Sequence, residues 1–306
     1  MHPNFIVAGP PKCSSSSLHY YLGQHPDIYT SKIKETRFFS LYYEKGMAFY
    51  ETFFQEAKNE IAIGETTPSY SFLPFVADRI KEHYPGMRLI FCFRNPVDRA
   101  FSSWRMQYGR GTETKTFREA ILINKNQLAN DNVSLEGSEG ADRWIKSHED
   151  HADDATRLRT YIQGGLYTEM LEFYGQRFED DQIKITFAED LIHKFDETMS
   201  GLFRFLKVDE NFIVPNKEIV NFNFSRSANK LANKIFGVKG TQRIAEKMPD
   251  FIKNKMKAAM REKEPEKLSM EDRFFVWDIF KDDVEKLEKL LHTDLSHWRP
   301  KEQPGV

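Results

Sequence analysis

Short apolar runs along the chain alternate with segments whose apolar residues recur every three to four positions. The runs are rich in β-branched and aromatic residues, which is typical of buried strands. They cover residues 5–8, 61–63, 89–93 and 183–187, with a shorter run at 27–30. The helical spacing covers residues 15–23, 72–83, 97–108, 166–178 and 198–206. This alternation predicts an α/β fold, in which a three-layer arrangement places helices on both faces of a parallel sheet.

Two segments depart from the alternation. Residues 131–162 are polar and rich in acidic residues, and they are too long for an ordinary connection. We interpret them as an insertion within one domain of residues 1–306, either an acceptor-side flap or mobile loop, or a disordered surface segment. Residues 227–267 are basic with apolar residues at helical spacing, which predicts a helical C-terminal part. Their basic face is either solvated or binds an anionic acceptor or a membrane surface.

Composition and charge narrow the classes of function. The chain has 306 residues, of which 40% are hydrophobic, so it can bury a large core. Its net charge of −2 argues against general affinity for nucleic acid, so an anion site must come from local clustering. Two cysteines, Cys13 and Cys92, make no disulfide framework and favour a reducing compartment. No apolar run approaches the ~18 residues of a membrane span, and no signal peptide is recognisable.

A phosphate-binding loop is the strongest local signal. Residues 5–18 (FIVAGPPKCSSSSL) run from an apolar strand through a Gly/Pro turn to Lys12, Cys13 and the hydroxyls of Ser14, Ser15, Ser16 and Ser17. N–H groups at a helix start, a lysine and several hydroxyls together favour a bound phosphate. The Gly-x-x-x-x-Gly-Lys-Ser/Thr pattern of nucleotide triphosphatases is absent, which argues against a magnesium-dependent kinase.

A second candidate for binding an anion is Arg94, which follows the apolar run of residues 89–93. Residues 89–104 (LIFCFRNPVDRAFSSW) place Arg94 after a strand, with Asn95 and Pro96 starting the next helix and Ser102 two turns along it. A guanidinium at this position can bind a phosphate bidentately. Because Lys12 also follows a strand, both cations are expected at the same edge of a parallel sheet. The alternative is that Arg94 pairs with Glu65 or Asp98.

These motifs resemble those of sulfotransferases that use PAPS (3′-phosphoadenosine 5′-phosphosulfate). Residues 11–18 resemble the Pro-Lys-x-Gly-Thr-Thr-x-Leu loop that binds the 5′-phosphosulfate, and 89–104 resemble the 3′-phosphate motif. Residues 34–39 (KETRFF) are similar to the Lys-Glu-x-x-Phe-Phe segment of heparan-sulfate-type and bacterial sulfotransferases, which carries the catalytic glutamate. Segments 64–70, 165–167, 187–191 and 287–298 fit the same subgroup, so the resemblance spans nearly the whole chain.

The resemblance implies a P-loop-type sulfotransferase fold and a set of roles. Glu35 is the expected general base, and Lys12 is expected to stabilise the leaving phosphate. Cys13 and Ser14 to Ser17 would surround the 5′-phosphate, while Arg94 and Ser102 would bind the 3′-phosphate. Arg226 and Ser227 resemble the late basic loop over the adenosine. PAPS is the expected co-substrate and PAP (adenosine 3′,5′-bisphosphate) the expected product, and no metal is expected to take part. The expected acceptor is a hydroxyl or amine of a carbohydrate or small molecule. Animal Golgi relatives carry a membrane anchor that is not recognisable here, so we expect a cytoplasmic, bacterial enzyme.

Two departures from the family pattern qualify these roles. Ser14 stands where the family usually has a glycine, at a position that often needs a positive φ. Thr66 stands where heparan-type enzymes tend to have a lysine, which makes heparan a less expected acceptor. The alternatives are a non-catalytic PAP-binding protein, a P-loop kinase, and a Glu35 that is only a surface carboxylate paired with Lys34 or Arg37. If Glu35 is not the base, His19 and Glu65 are the next candidates.

Overall fold

A five-stranded parallel sheet organises the residues that the computed structural model describes, namely 1–129, 134–149, 157–218 and 267–301. The strands follow one another along the chain as β1 (Phe5–Val7), β2 (Ile28–Thr30), β3 (Ala62–Thr66), β4 (Arg88–Phe93) and β5 (Ile183–Phe187). Every pair is parallel, and the spatial order is β2-β3-β1-β4-β5. The predicted α/β fold with a parallel sheet is confirmed.

Helices cover both faces of the sheet. In chain order they are α1 (Ser15–Leu22), α2 (Met47–Glu51), α3 (Pro74–His83), α4 (Pro96–Arg110), α5 (Phe117–Leu128), α6 (Gly137–Glu149), α7 (Tyr167–Gly175), α8 (Asp190–His193), α9 (Phe195–Leu206) and α10 (Met270–Leu291). Of these, α10 provides the helical C-terminal part. The residues between 219 and 266, which include most of the predicted basic region, lie outside the described residues.

Two apolar clusters lie on opposite faces of the sheet because side chains alternate along each strand. In β4, Leu89, Phe91 and Phe93 belong to one cluster, whereas Ile90 and Cys92 belong to the other. The first cluster is completed by residues of α3, α4, α7 and α10, and the second by residues of α1 and α9. Both faces of β4 are therefore buried, which explains why its sequence is a continuous apolar run.

The connections reverse direction at the centre of the sheet. From β1 the chain passes to β2 and β3 on one side, and then crosses to β4 and β5 on the other. The carboxyl ends of β1 and β4, which are neighbours, therefore lie at a topological switch point, where ligands of open α/β sheets bind. The candidate phosphate loop follows β1, and Arg94 follows β4.

Part of the 131–162 segment is helical and packed, so the expectation of a mobile loop or a disordered surface segment is wrong for those residues, whereas the acceptor-side flap stays a prediction. Gly137–Glu149 forms α6, and Ala141 and Trp144 of this helix are buried. The Trp144 ring packs edge-on against Phe72, with the ring centroids 5.8 Å apart. Few apolar residues of α6 are buried, so the apolar periodicity of its sequence is too weak to indicate a helix.

Candidate active site

The loop between β1 and α1 has a strained backbone. Lys12 and Ser14 have φ values of 76° and 58°, in the left-handed region that glycine favours. Ser14 is the N-cap of α1, so the position where the family usually has glycine does require a positive φ here. A non-glycine residue in this region costs about 1 kcal/mol. Gly9 is required for a different reason, because a Cβ there would lie 2.5 Å from the Cys92 main-chain nitrogen.

The hydroxyls after Ser14 line the start of α1. Ser15 and Ser17 are buried and Ser16 is half-buried. Ser15 Oγ accepts a hydrogen bond of 3.5 Å from Lys34 Nζ, which connects this loop to the segment after β2. The N-terminal end of an eight-residue helix therefore faces a group of hydroxyls and one ammonium.

Cys13 lies in the loop but points away from it. Its Sγ is fully buried 4.0 Å from Tyr167 Oη, and its main-chain N–H donates to Pro10 O at 3.3 Å. Burial raises the pKa of the Cys13 thiol to about 12, so it stays protonated. Cys13 therefore anchors the loop to the core in this structure.

Lys12 is the centre of a group of cations. Its Nζ lies 3.9 Å from Met106 Sδ on α4. Burial lowers the pKa of Lys12, and the positive charges of neighbouring side chains lower it further. In decreasing order of effect these neighbours are Arg110, Arg94, Lys34 and Arg105. Several like charges held close together destabilise one another, and a bound anion would relieve that repulsion.

Arg94 connects the two loops at the switch point. Its Nη1 donates to Lys12 O at 3.3 Å, and its own carbonyl oxygen accepts a 2.6 Å hydrogen bond from Tyr167 Oη. The proposed alternative partners are engaged elsewhere: Glu65 accepts hydroxyl hydrogen bonds, and Asp98 pairs with Arg273 at 2.7 Å. Among the described residues, Arg94 has no carboxylate partner, and its guanidinium is available for a ligand.

One face of α4 extends the cation group. Asn95 caps the helix by accepting the N–H of Val97 at 3.0 Å, and the half-buried Ser102 lies two turns further along. Ser102, Met106 and Arg110 are four residues apart in turn, so they share this face. Sequence reasoning missed all three of Met106, Arg105 and Arg110. The spacing of Met106 and Arg105 from Ser102 places them on the same side of the predicted helix, whereas Arg110 lies beyond its predicted end and joins this face because α4 continues to Arg110.

Glu35 lies beside the phosphate loop and between two cations. Its Oε1 is 3.2 Å from Lys34 Nζ and its Oε2 is 3.0 Å from Arg37 Nη2, so both expected ion pairs are present. Burial alone would raise the pKa of Glu35, but Lys34 and Arg37 outweigh it and hold this pKa below its usual value. Since Lys34 also contacts Ser15, one ammonium links the carboxylate to the loop.

A buried carboxylate holds the backbone next to Glu35. Glu65, at the end of β3, is fully buried and accepts hydrogen bonds from the hydroxyls of Thr36 (2.7 Å), Thr67 (2.5 Å) and Tyr50 (3.2 Å). Burial raises the pKa of Glu65, and these hydrogen bonds oppose the shift. Because Glu65 is fully buried, an acceptor cannot reach it to transfer a proton. Its hydrogen bonds instead orient residues 35–37.

His19 is the other alternative base. Burial, with a smaller effect from Lys34, lowers the pKa of His19 to about 4, so the ring is neutral at pH 7. Its Nδ1 lies 3.0 Å from Thr66 Oγ1, the residue that replaces the heparan-type lysine. A ring with so low a pKa is a weak proton acceptor.

The start of α7 is held by a second buried carboxylate. Asp283 on α10 accepts the main-chain N–H groups of Tyr167 at 2.8 Å and of Thr168 at 3.1 Å. Burial raises the pKa of Asp283 to about 6, with these hydrogen bonds opposing the shift. Through Tyr167, this contact also fixes the carbonyl group of Arg94.

Comparison with known proteins identifies the family to which these motifs belong. Residues 2–270 match the sulfotransferase domain family. This chain belongs to the sulfotransferase family. Membership supports sulfuryl transfer as the general reaction of the site described above.

Two curated relatives of this sulfotransferase illustrate the range of the family. Membrane-associated sulfotransferase kil1 of Dictyostelium discoideum is 28% identical over 265 residues, covering 68% of this chain and 56% of kil1. Human heparan sulfate glucosamine 3-O-sulfotransferase 6 is 30% identical over 116 residues, covering 38% of this chain and 34% of the relative. The chain thus spans between a third and a little over half of the length of these relatives.

A solved bacterial structure matches this sulfotransferase over almost its full length. A sulfotransferase from Alicyclobacillus acidocaldarius superposes with a TM-score of 0.67 at 26% identity, covering 98% of this chain and 99% of that one. The expected sulfotransferase fold is therefore confirmed.

Three further expectations concern the late basic loop, a metal site and a membrane-spanning helix. Arg226 and Ser227 lie outside the described residues. Within the described ranges, no group of three or more His, Cys, Asp or Glu side chains is arranged to hold a metal ion. None of the helices in those same ranges combines the length and the apolar character needed to cross a bilayer.

Proposed function

We propose that this sulfotransferase transfers the sulfuryl group of PAPS to a hydroxyl or amine of a carbohydrate or small molecule. One observation carries the proposal: cations converge on the switch point of the sheet, next to a carboxylate that is ionised at neutral pH. The cations are Lys12, Lys34, Arg94, Arg105 and Arg110, and the carboxylate is Glu35. A doubly phosphorylated anion on one side and a base on the other are what this reaction needs.

The donor end of the site is assigned from the two loops. Ser14 to Ser17 and the N-terminus of α1 would bind the 5′-phosphosulfate, with Lys12 beside the oxygen that leaves with the phosphate. Arg94 would bind the 3′-phosphate bidentately, with Ser102 adding a hydroxyl. The contact from Arg94 Nη1 to Lys12 O supports this assignment because it holds the two phosphate sites at a fixed separation.

The acceptor end of the site is assigned to Glu35. As the acceptor oxygen or nitrogen forms its bond to sulfur, the bond from sulfur to the 5′-phosphate oxygen breaks. Glu35 takes the acceptor proton, and Lys12 stabilises the negative charge that remains on the phosphate. The heparan sulfate relative supports a saccharide acceptor. Thr66, which fills the place of a family lysine and contacts His19, argues for an acceptor other than heparan.

A cytoplasmic location is also part of the proposal. It rests on the two cysteines, Cys13 and Cys92, which are both buried and free. The name of the relative kil1 refers to membrane association, so location needs its own test. Fractionation of cells that express the full chain should recover it in the soluble fraction, and recovery with membranes would contradict this part.

Transfer of radiolabelled sulfate from PAPS to a panel of sugars, phenols and amines tests the proposed reaction. We expect a labelled product with wild type and at least ~10²-fold slower labelling with Glu35→Gln. Calorimetry with PAP in the presence of EDTA should show binding without metal. Tight PAP binding with no transfer to any acceptor in the panel or in cell extracts would favour a non-catalytic PAP-binding protein. Binding of ATP with Mg²⁺ but not of PAP would favour a kinase.

A further inference from the structure

Lys34 makes two contacts that belong to opposite halves of the site. Its Nζ lies 3.2 Å from Glu35 Oε1, the proposed base, and 3.5 Å from Ser15 Oγ in the phosphate loop. The side chain is only 25% exposed, so the ammonium has few other partners to choose from. Its main-chain carbonyl accepts the Thr66 N–H at 3.1 Å, which fixes the backbone while the four-carbon stem stays flexible.

Glu35 is ion-paired on both oxygens in this structure. Lys34 holds Oε1 and Arg37 holds Oε2. A carboxylate in this state is a poor proton acceptor, because each ion pair stabilises its charged form and occupies lone pairs. An acceptor hydroxyl therefore needs one of the two oxygens to be released.

The phosphate loop offers Lys34 a competing anion. A phosphosulfate bound beside Ser15 would add negative charge near the Lys34 ammonium, whereas Glu35 offers a single carboxylate. Arg37 does not compete in this way, since its guanidinium contacts Glu35 and is about half exposed, and the backbone at Arg37 is fixed by its N–H bond to Thr67 Oγ1. Of the two ion pairs of Glu35, the pair with Lys34 is therefore the one that a bound donor would break.

We propose that Lys34 couples donor binding to activation of the base, by moving its ammonium from Glu35 Oε1 to the 5′-phosphate group when the donor occupies the loop. This inference rests on the proposed function and assigns Lys34 a role in both half-sites. Arg37 keeps its contact with Oε2 and holds the carboxylate in place. Before donor binds, Glu35 stays paired and cannot accept a proton, which favours binding of the donor before the acceptor.

A double-mutant cycle on PAP affinity, measured by calorimetry, tests the coupling without requiring turnover. Lys34→Met should weaken PAP binding ~10-fold, the lower range for a charged hydrogen bond. Glu35→Gln should tighten PAP binding about two- to fivefold, because Lys34 no longer has to leave a carboxylate. In the Lys34→Met background, Glu35→Gln should have no effect on PAP affinity.

Arg37→Met provides the matched control. Arg37 contacts Glu35 but not the phosphate loop, so the variant should bind PAP nearly as wild type does. In the Arg37→Met background, Glu35→Gln should still tighten binding. Adenosine 3′-phosphate, which has no 5′-phosphate, should bind wild type and Lys34→Met equally. Lys34→Gln and thermal unfolding of every variant control for misfolding.

The outcomes separate the coupling from the proposed function. If Glu35→Gln changes PAP affinity equally with and without Lys34, or if Lys34→Met weakens adenosine 3′-phosphate as much as PAP, the coupling is wrong while the PAP site stands. If wild type does not bind PAP at all, the proposed function is wrong and the coupling falls with it.

Discussion

Tyr167 holds the carbonyl group of Arg94 by a 2.6 Å hydrogen bond, although the two residues lie on different elements far apart in the sequence. The Tyr167 ring also stacks on Phe93, with centroids 4.3 Å apart. Phe93 is thereby packed, and the backbone of Arg94, which we propose as the 3′-phosphate ligand, is held by a hydrogen bond. Tyr167 thus links α7 to the end of β4.

Tyr167→Phe keeps the stack and removes the hydroxyl. We expect ~1 kcal/mol lower stability for the lost hydrogen bond and about fivefold weaker PAP binding, because the Arg94 backbone is less well held. Chemical denaturation and calorimetry measure the two effects. Tyr174→Phe is the matched control, since Tyr174 Oη donates to Tyr70 O at 2.9 Å in a buried site away from the loop. It should lose stability only, and weaker PAP binding in this control would contradict the assignment.

Arg94→Met should abolish discrimination between nucleotides. PAP binding is expected to weaken by ~1.5–3 kcal/mol, the size of a hydrogen bond to a charged group, whereas adenosine 5′-phosphosulfate lacks the 3′-phosphate and should be little affected. Competition binding with both nucleotides measures the ratio. Arg88→Met, at the opposite end of β4, is the control and should change neither affinity. Equal losses for both nucleotides in Arg94→Met would show that Arg94 does not contact the 3′-phosphate.

Glu35→Gln should lower turnover ~10²-fold or more, because the amide keeps the shape of the side chain but cannot take the acceptor proton. PAP binding should be at least as tight as in wild type. Single-turnover transfer of labelled sulfate gives the rate. Glu56→Gln is the control, since Glu56 pairs with Lys32 on the surface nearby. Near-normal turnover of Glu35→Gln would assign the base to another group.

Ser14→Gly should stabilise the protein by up to about 1 kcal/mol, because glycine adopts the observed φ of 58° without steric cost. Ser16→Gly is the opposite case, since Ser16 lies within α1 and glycine is a poorer helix former than serine, which should lower stability by ~0.5 kcal/mol or less. Thermal unfolding compares the two variants with wild type. A loss of stability in Ser14→Gly would mean that the Ser14 hydroxyl makes a contact worth more than the backbone strain.

Asp283 should give the protein a measurable dependence of stability on pH. Its pKa in the folded state is about 6 against an ordinary 3.8, so the folded state binds the proton more tightly than the unfolded chain does. Stability from this group is therefore greatest at low pH and is lost as pH rises through 6. Relative to Asp283→Asn, wild type should lose about 1–1.5 kcal/mol of unfolding free energy between pH 5 and 7.5. A parallel course of the two urea-denaturation profiles would contradict this expectation.

The sequence predicts the positions of the strands because their signals are local. The apolar runs at 5–8 and 89–93 locate β1 and β4, whereas the run at 61–63 covers only the start of β3, which continues through Gly64, Glu65 and Thr66. Lys12 and four adjacent hydroxyls mark the loop after β1, and its binding of phosphate stays a prediction. Arg105 and Arg110 were not predicted as members of the cation group around Lys12, because exposed arginines on a helix are common. They are recognised only once the structure places α4 beside Lys12. Asp283 could not be found either, since its partners Tyr167 and Thr168 are more than a hundred residues away. Helix α6 was missed because Ala141 and Trp144 are too few buried apolar side chains to give a helical pattern in the sequence.

The central position of β1 has a consequence for how the protein folds. This three-residue strand pairs Phe5 with Gly64 on one side and with Arg88 on the other, so its contacts join distant parts of the chain. Closing such long loops is entropically costly, and contacts of this kind slow folding. The strand also carries the loop that contains Lys12, so partly folded chains in which β1 is unpaired lack the proposed nucleotide site. We therefore expect nucleotide affinity to appear only with the final assembly of the sheet, which makes ligand binding a sensitive reporter of complete folding.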